Sequence, residues 1–274
     1  MKSIKTILKA GSVLLVAGVV FLAACKKSDS TASATEDVGY GQEQAQLEKA
    51  SDDAQTIGDQ AYTSTDGKLS TYRTAAPTLS NCATITKDTV NGIITVNFGT
   101  VDCLCNDGNY RRGEVIIHYT GRYMATGSVH TITFSNYFVN DNQLTGSKTV
   151  TNAGTNTSGQ TYWNVAVNDS IILANNAGII SWTATRTRTL TSSTPITYSI
   201  TGGGSLTRAN GVVITHTITS PLIISQGCAW IEQGTVADTL SNGKTAILDY
   251  GNGVCDALAT VTYNGHTYNI TLRR

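Results

Sequence analysis

Four groups of residues in this chain of 274 could do chemistry: six cysteines, four histidines, a strand carrying two arginines, and scattered carboxylates. Arg186 and Arg188 alternate with Trp182 and Ala184, while Thr183, Thr185, Thr187 and Thr189 occupy the intervening positions. In a strand the first four share one face. Such an arginine–aromatic strip is a possible ligand face for an anionic sugar or peptide. The plainer expectation is a solvated sheet face with arginine stems packed across strands. Cys103-Leu104-Cys105 likewise puts two thiols on one face, and with His118 or Asp107 they could chelate a metal. No second Cys/His pair has zinc-site spacing, so no metal is expected. His118, His130, His216 and His266 fall in strand-like stretches and read as half-exposed sheet residues. Glycoside hydrolysis needs two carboxylates. The segment after residue 82 holds only Glu114 and Glu232, and Asp88, Asp102, Asp107, Asp141, Asp169, Asp238 and Asp256 mostly sit beside turns, with nothing to pair them. The nucleophile-elbow, zinc-protease and phosphate-loop patterns are missing. Gly202-Gly203-Gly204 has no Lys-Ser/Thr after it and reads as a bend or bulge in a long strand. The chain is therefore read as non-enzymatic and without a cofactor.

The elements that position these residues are mostly strands. From 82 to 274 the pattern is alternation: Val115, Ile117 and Tyr119 against Glu114, Ile116 and His118. Ile132, Phe134 and Phe138 are expected on one face of the next strand, and Trp163, Val165 and Val167 on one face of another. Asn-Gly occurs at 91–92, 210–211, 242–243, 252–253 and 264–265. It favours the type I′ hairpin turn, in which both central residues take φ > 0. The predicted fold is a long antiparallel meander of hairpins forming a two-layer sandwich, with a curved open half-barrel as the alternative. One helix, Glu43 to Ala61, is predicted to pack on it through Leu47, Ala50, Ala54, Ile57 and Ala61, while Glu48, Lys49, Asp52, Asp53 and Gln60 lie on the other face. Residues 63–81 read as a connector.

The same hairpins suggest disulfides. Around Asn91-Gly92, Cys82 and Cys103 fall within about two residues of facing each other. Around Asn242-Gly243, Cys228 and Cys255 do the same. Cys82–Cys103 and Cys228–Cys255 are expected, with Cys105 left over, although Cys105 lies close enough to Cys103 to compete for Cys82. A faint repeat relates the two hairpins: Ile94 to Gly99 followed by Cys103 echoes Ala246 to Gly251 followed by Cys255.

The N-terminus reads as an address. Lys2, Lys5 and Lys9 precede an apolar run from Gly11 to Phe21, too short to span a bilayer. Leu22-Ala23-Ala24-Cys25 resembles the bacterial lipobox. That resemblance implies a signal peptide over 1–24, acylation of Cys25, and attachment to the membrane through its acyl chains. A tether follows, 25–42, small and polar from Lys26 to Thr35. Lys26 after the cysteine favours the outer membrane, with the face left open. Balanced charge, 19 basic against 19 acidic residues, argues against nucleic-acid binding. Once the three leader lysines are removed the balance is 16 against 19, or −3.

Phe98-Gly99 through Cys103, Asp107-Gly108, Arg111-Arg112-Gly113 and Val115 to Gly121 resemble uncharacterised Bacteroidetes outer-envelope lipoproteins. So do Thr185 to Arg188, Tyr198 to Gly202, and Leu248 to Asp256 before the last hairpin; the second thiol of Cys103-Leu104-Cys105 departs from that pattern. The resemblance implies fold and location and no activity. Asp-Ser/Thr-apolar triplets at 29–31, 88–90, 169–171 and 238–240 resemble O-glycosylation sites of exported proteins of that group. The expected role is a binding or scaffolding module of the envelope with a glycan or protein partner. The alternatives are a carrier of an apolar ligand in a half-barrel, or a carbohydrate-binding or carbohydrate-active protein.

Overall fold

A computed structural model describes residues 30–66, 79 and 82–272, with helix side chains at 39 and 41–62. The predicted signal segment 1–24, Cys25 and residues 26–29 of the tether lie outside the described residues.

Helix α1 (Ser30–Asp66) precedes fourteen strands. In chain order these are β1 (Thr84–Asp88), β2 (Ile93–Asn97), β3 (Cys103–Leu104), β4 (Tyr110–Tyr119), β5 (Val129–Val139), β6 (Asn142–Thr155) and β7 (Thr161–Ile172). Then come β8 (Ile179–Ser193), β9 (Ile196–Thr207), β10 (Val213–Ser225), β11 (Gln233–Leu240), β12 (Thr245–Asn252), β13 (Leu258–Tyr263) and β14 (His266–Thr271). All pair antiparallel in one sheet, each with its sequence neighbour, except that β2 skips to β4 and β3 adds to the start of β4.

The fold is thus the expected mainly β antiparallel meander with a helix packed on it. Its layering follows the second of the two predicted arrangements. The sheet is a single open one, because the ladder passes from strand to strand without any strand leaving for a second layer. It also curls. Strands from opposite ends, β2 and β4 against β13 and β14, touch the same helix. Gly41 lies against Val261 of β13, and Gly58 against Ile117 of β4 and Ile132 of β5. None of the described helix side chains is exposed. Leu47, Ala54, Ile57 and Ala61 are buried as the stripe predicts, yet Gln44, Glu48, Ser51 and Gln55 are buried too. The supposed solvent face of the helix is a second packing face.

The helix starts at Ser30, well before the predicted Glu43, and runs on to Asp66. Once nucleated, a helix extends at little further cost. The predicted stripe begins only at Leu47, so it could not mark the true start.

Inward positions alternate with outward ones along each strand, as β4 and β7 show. In β5 the ladder slips between Thr133 and Phe138, with Asn136 at φ 45°. The slip reverses parity. Tyr137 therefore points into the core, and Phe138 lies under the Arg112 guanidinium instead of beside Ile132 as predicted. Gly202 to Gly204 lie in β9, whose ladder with β10 is also irregular, between Thr217 and Leu222. Gly202 takes φ 123°, which suits glycine alone.

Four of the five Asn-Gly pairs turn hairpins, and Asn252-Gly253 instead closes β12 ahead of the loop that holds Cys255. Only Asn264 (φ 49°) and Gly265 (φ 76°) have the type I′ signature. At Asn210 and Asn242 the side-chain oxygen accepts the N–H two residues on, and only the glycine is left-handed. Asn140-Asp141, both at positive φ, forms a further tight turn between β5 and β6.

Candidate functional site

Both predicted disulfides are present. Cys82–Cys103 has a Cα separation of 6.1 Å and Cys228–Cys255 one of 5.7 Å. They tie off the open ends of two hairpins, one at the first sheet edge and one two strands in from the last. Cys105 is buried and free, its thiol directed at the Cys103 carbonyl. Asp107 is committed to Arg111, which removes it from any metal set with Cys105. Cys228, Glu232 and Cys255 bring potential ligand atoms within 4.8 Å, but the two sulfurs are bonded to each other and offer no thiolate.

The predicted ligand face is where the chemistry gathers. Trp182, Arg186 and Arg188 point inward from β8, as their spacing requires, and all three are buried. This overturns the solvated-face expectation. What covers them is α1. Arg186 pairs with Glu48 and lies 5.6 Å from the Trp182 ring. Arg188 donates to Asp59 (3.0 Å) and to the Tyr123 hydroxyl (3.3 Å), and stacks on Tyr198 at 3.6 Å. The anionic ligand that the strip was built to bind is a helix of the same chain.

Three more cations make the same approach. Lys148 of β6 donates to the Ser51 carbonyl at 3.0 Å, with Asp52 at 3.8 Å. Arg208, after β9, holds Glu43 with two hydrogen bonds, 2.7 and 3.1 Å. Arg111 of β4 faces Asp53 at 3.6 Å. Five cations, four from strands and Arg208 from the turn after β9, thus meet five helix carboxylates. Glu48 and Asp53 are pushed above the ordinary carboxylate range by burial, which their cationic partners only partly offset. Burial likewise pulls Lys148 down.

Beside Arg186 lies a second set of buried groups. The Trp182 indole donates to Nε2 of His216 at 3.2 Å, so the ring proton sits on Nδ1, which has no protein acceptor. Burial and the Arg186 charge push His216 down to about 3. Its cross-strand neighbour Asp238 is fully buried, and neither carboxylate oxygen accepts a hydrogen bond. Burial, with Glu48 nearby, pushes Asp238 up to about 7. The Tyr250 hydroxyl is also buried without a partner. On β7, Asp169 is pushed up to about 6 by burial, with Lys148 opposing. These carboxyls sit in the core rather than in a groove.

The histidines divide. His118 and His266 are exposed, whereas His130 and His216 are buried against the half-exposed expectation. His130 contacts the Gly121 carbonyl at 3.2 Å and the rings of Tyr62 and Tyr123. Glu114 and Glu232 serve neighbouring side chains, accepting from Asn97 and Ser225. Of the predicted glycosylation triplets, Asp88-Thr89-Val90 forms an exposed turn, while Asp169 and Asp238 are buried.

Sequence reasoning passed over Arg111, Lys148 and Arg208. For the first two a signal existed: Arg111 shares strand parity with Val115 and Ile117, and Lys148 with Leu144 and Val150. No protein-family model matches this chain, and no curated protein or solved structure does either.

Proposed function

We propose that the chain is an outer-membrane lipoprotein, held by acyl chains on Cys25, that works as a non-enzymatic binding or scaffolding module of the envelope. The observation that carries this reading is the filled interior. Among the described residues, α1 occupies the inside of the curled sheet, the natural place for a ligand, and the cavity between α1 and β6–β9 is about 10 Å³. Small-molecule pockets are usually about 300–1,000 Å³. A carrier of apolar ligands therefore has little to recommend it, and the buried carboxyls do not line an aromatic groove of the kind a glycosidase needs. Binding is left to the outer face and the loops, towards a glycan or protein partner.

The anchoring half is tested by growing cells with an alkyne-tagged fatty acid. The wild-type chain is expected to take up label and sediment with membranes, while Cys25→Ala takes up none and stays soluble. An unlabelled wild-type chain overturns the lipoprotein reading. The binding half is tested with a fluorescent fatty acid and the unlipidated protein. Saturable uptake of the probe would favour the carrier instead.

A further inference from the structure

The cavity between α1 and β6–β9 has an unusual wall. Among its residues are Arg186, Arg188, Lys148, Ser51, Glu48 and Asp52. Four of their buried atoms have no partner in the protein: Arg186 Nε and Nη1, Arg188 Nε, and Ser51 Oγ. All four can donate a proton, and the three arginine nitrogens can only donate. A buried donor left unsatisfied costs about 1–3 kcal/mol, more when charged, and native structures usually answer such groups with a water or an ion.

We infer that this cavity is a binding site for one small monovalent anion, chloride, held by the guanidinium groups of Arg186 and Arg188 and the hydroxyl of Ser51, with the Lys148 ammonium nearby. Size sets the first limit: a space of about 10 Å³ suits one small body rather than a polyatomic acid. Hydrogen-bond chemistry sets the second. A water accepts two bonds and must then place two protons of its own. The unpartnered atoms of this wall are donors, three of them donors only. A halide has no protons to place and can accept from Ser51, from Arg188 and from one edge of Arg186, whose Nε–H and Nη1–H point to different sides. Charge sets the third: three cations line the space against two carboxylates, with Asp59 holding Arg188 from outside the wall, and burial disfavours ionisation of Glu48. The ion would fasten the middle of α1 to β8, where one carboxylate does not satisfy the arginine facing it.

The test is thermal unfolding of the full-length chain in sodium chloride against sodium gluconate at equal ionic strength. A bound chloride raises Tm in a saturable way and gives an apparent Kd. Ser51→Ala keeps every charge and adds helix propensity. It should weaken that Kd about tenfold, the size of one hydrogen bond to an ion. Bromide soaked into crystals should give an anomalous peak between Arg186 and Arg188. Equal melting in the two salts overturns the inference and leaves water as the occupant. So does a chloride effect that Ser51→Ala does not change, or a bromide peak elsewhere.

Discussion

Two arginines, Arg111 and Arg186, are buried beneath the same helix in contrasting ways. Arg111 has each of its three side-chain nitrogens engaged. Nη1 and Nη2 form a fork on Asp107 at 2.8 and 2.7 Å, Nε donates to the Tyr137 hydroxyl at 3.2 Å, and Asp53 adds a distant charge. Burial alone would lower its basicity, but these partners outweigh that and raise it. Arg186 has one carboxylate, Glu48, and two nitrogens with no protein partner. Asp107 responds to the first environment by being held below the ordinary carboxylate range, and Glu48 to the second by being raised above it. A buried arginine on this sheet can be a finished piece of structure or an open one. The number of satisfied donors separates them, and burial does not.

The sharpest way to break the comparison is to delete each guanidinium in turn. Arg111→Met leaves the half-buried Asp107 without its cation, with Asn109 still donating to it, and should lower unfolding free energy by about 3 kcal/mol in urea denaturation. Asp238→Asn probes the open region by pH. Its folded pKa of about 7 lies above the ordinary 3.8, so its contribution is greatest below about pH 4 and is lost as pH rises to about 7. The wild-type chain should therefore lose a few kcal/mol across that window through this group, and Asp238→Asn should lose less. His216, depressed to about 3, works the other way, its contribution being lost as pH falls from about 6.5 to 3. His216→Gln should flatten that acid limb. Arg186→Met should cost only about 2 kcal/mol, because two of its nitrogens have no protein partner to leave behind and Glu48 can take up a proton when its partner goes. Tyr137→Phe removes one bond to Arg111 and should cost about 1–2 kcal/mol, with no dependence on chloride. A Tyr137→Phe loss as large as that of Arg111→Met would show that the Asp107 fork is not what stabilises the finished site.

Much of the fold was legible because strands announce themselves. Period-two alternation placed Val115, Ile117, Trp163, Val165 and Val167 correctly, and the turn residues divided the chain into hairpins close enough to pair four cysteines. The failure at Phe138 came from a single inserted residue, which no alternation rule can see from one sequence. The candidate site was half legible. Trp182, Arg186 and Arg188 were singled out and do share a buried face, but their partner was sought outside the chain. A helix carrying Glu48, Asp52 and Asp53 reads as water-facing, because carboxylates are rarely buried without a partner. Only the five inward cations reverse that reading, and they are spread from Arg111 to Arg208. Asp238 and Tyr250 gave no warning, since a buried group without hydrogen bonds leaves no pattern in neighbouring residues.

The helix also sets a timetable. Nearly all the pairing in the sheet joins strands that follow one another, so each hairpin can form soon after its residues become available. The packing of α1 obeys no such locality. It is the first described element of the chain, yet Gly41 needs Val261 of β13 and Glu43 needs Arg208. Its final seat is incomplete until nearly the whole chain has been delivered. A chain cut short after β9 would still hold most of its hairpin registers, while its first element lacked part of its partner surface.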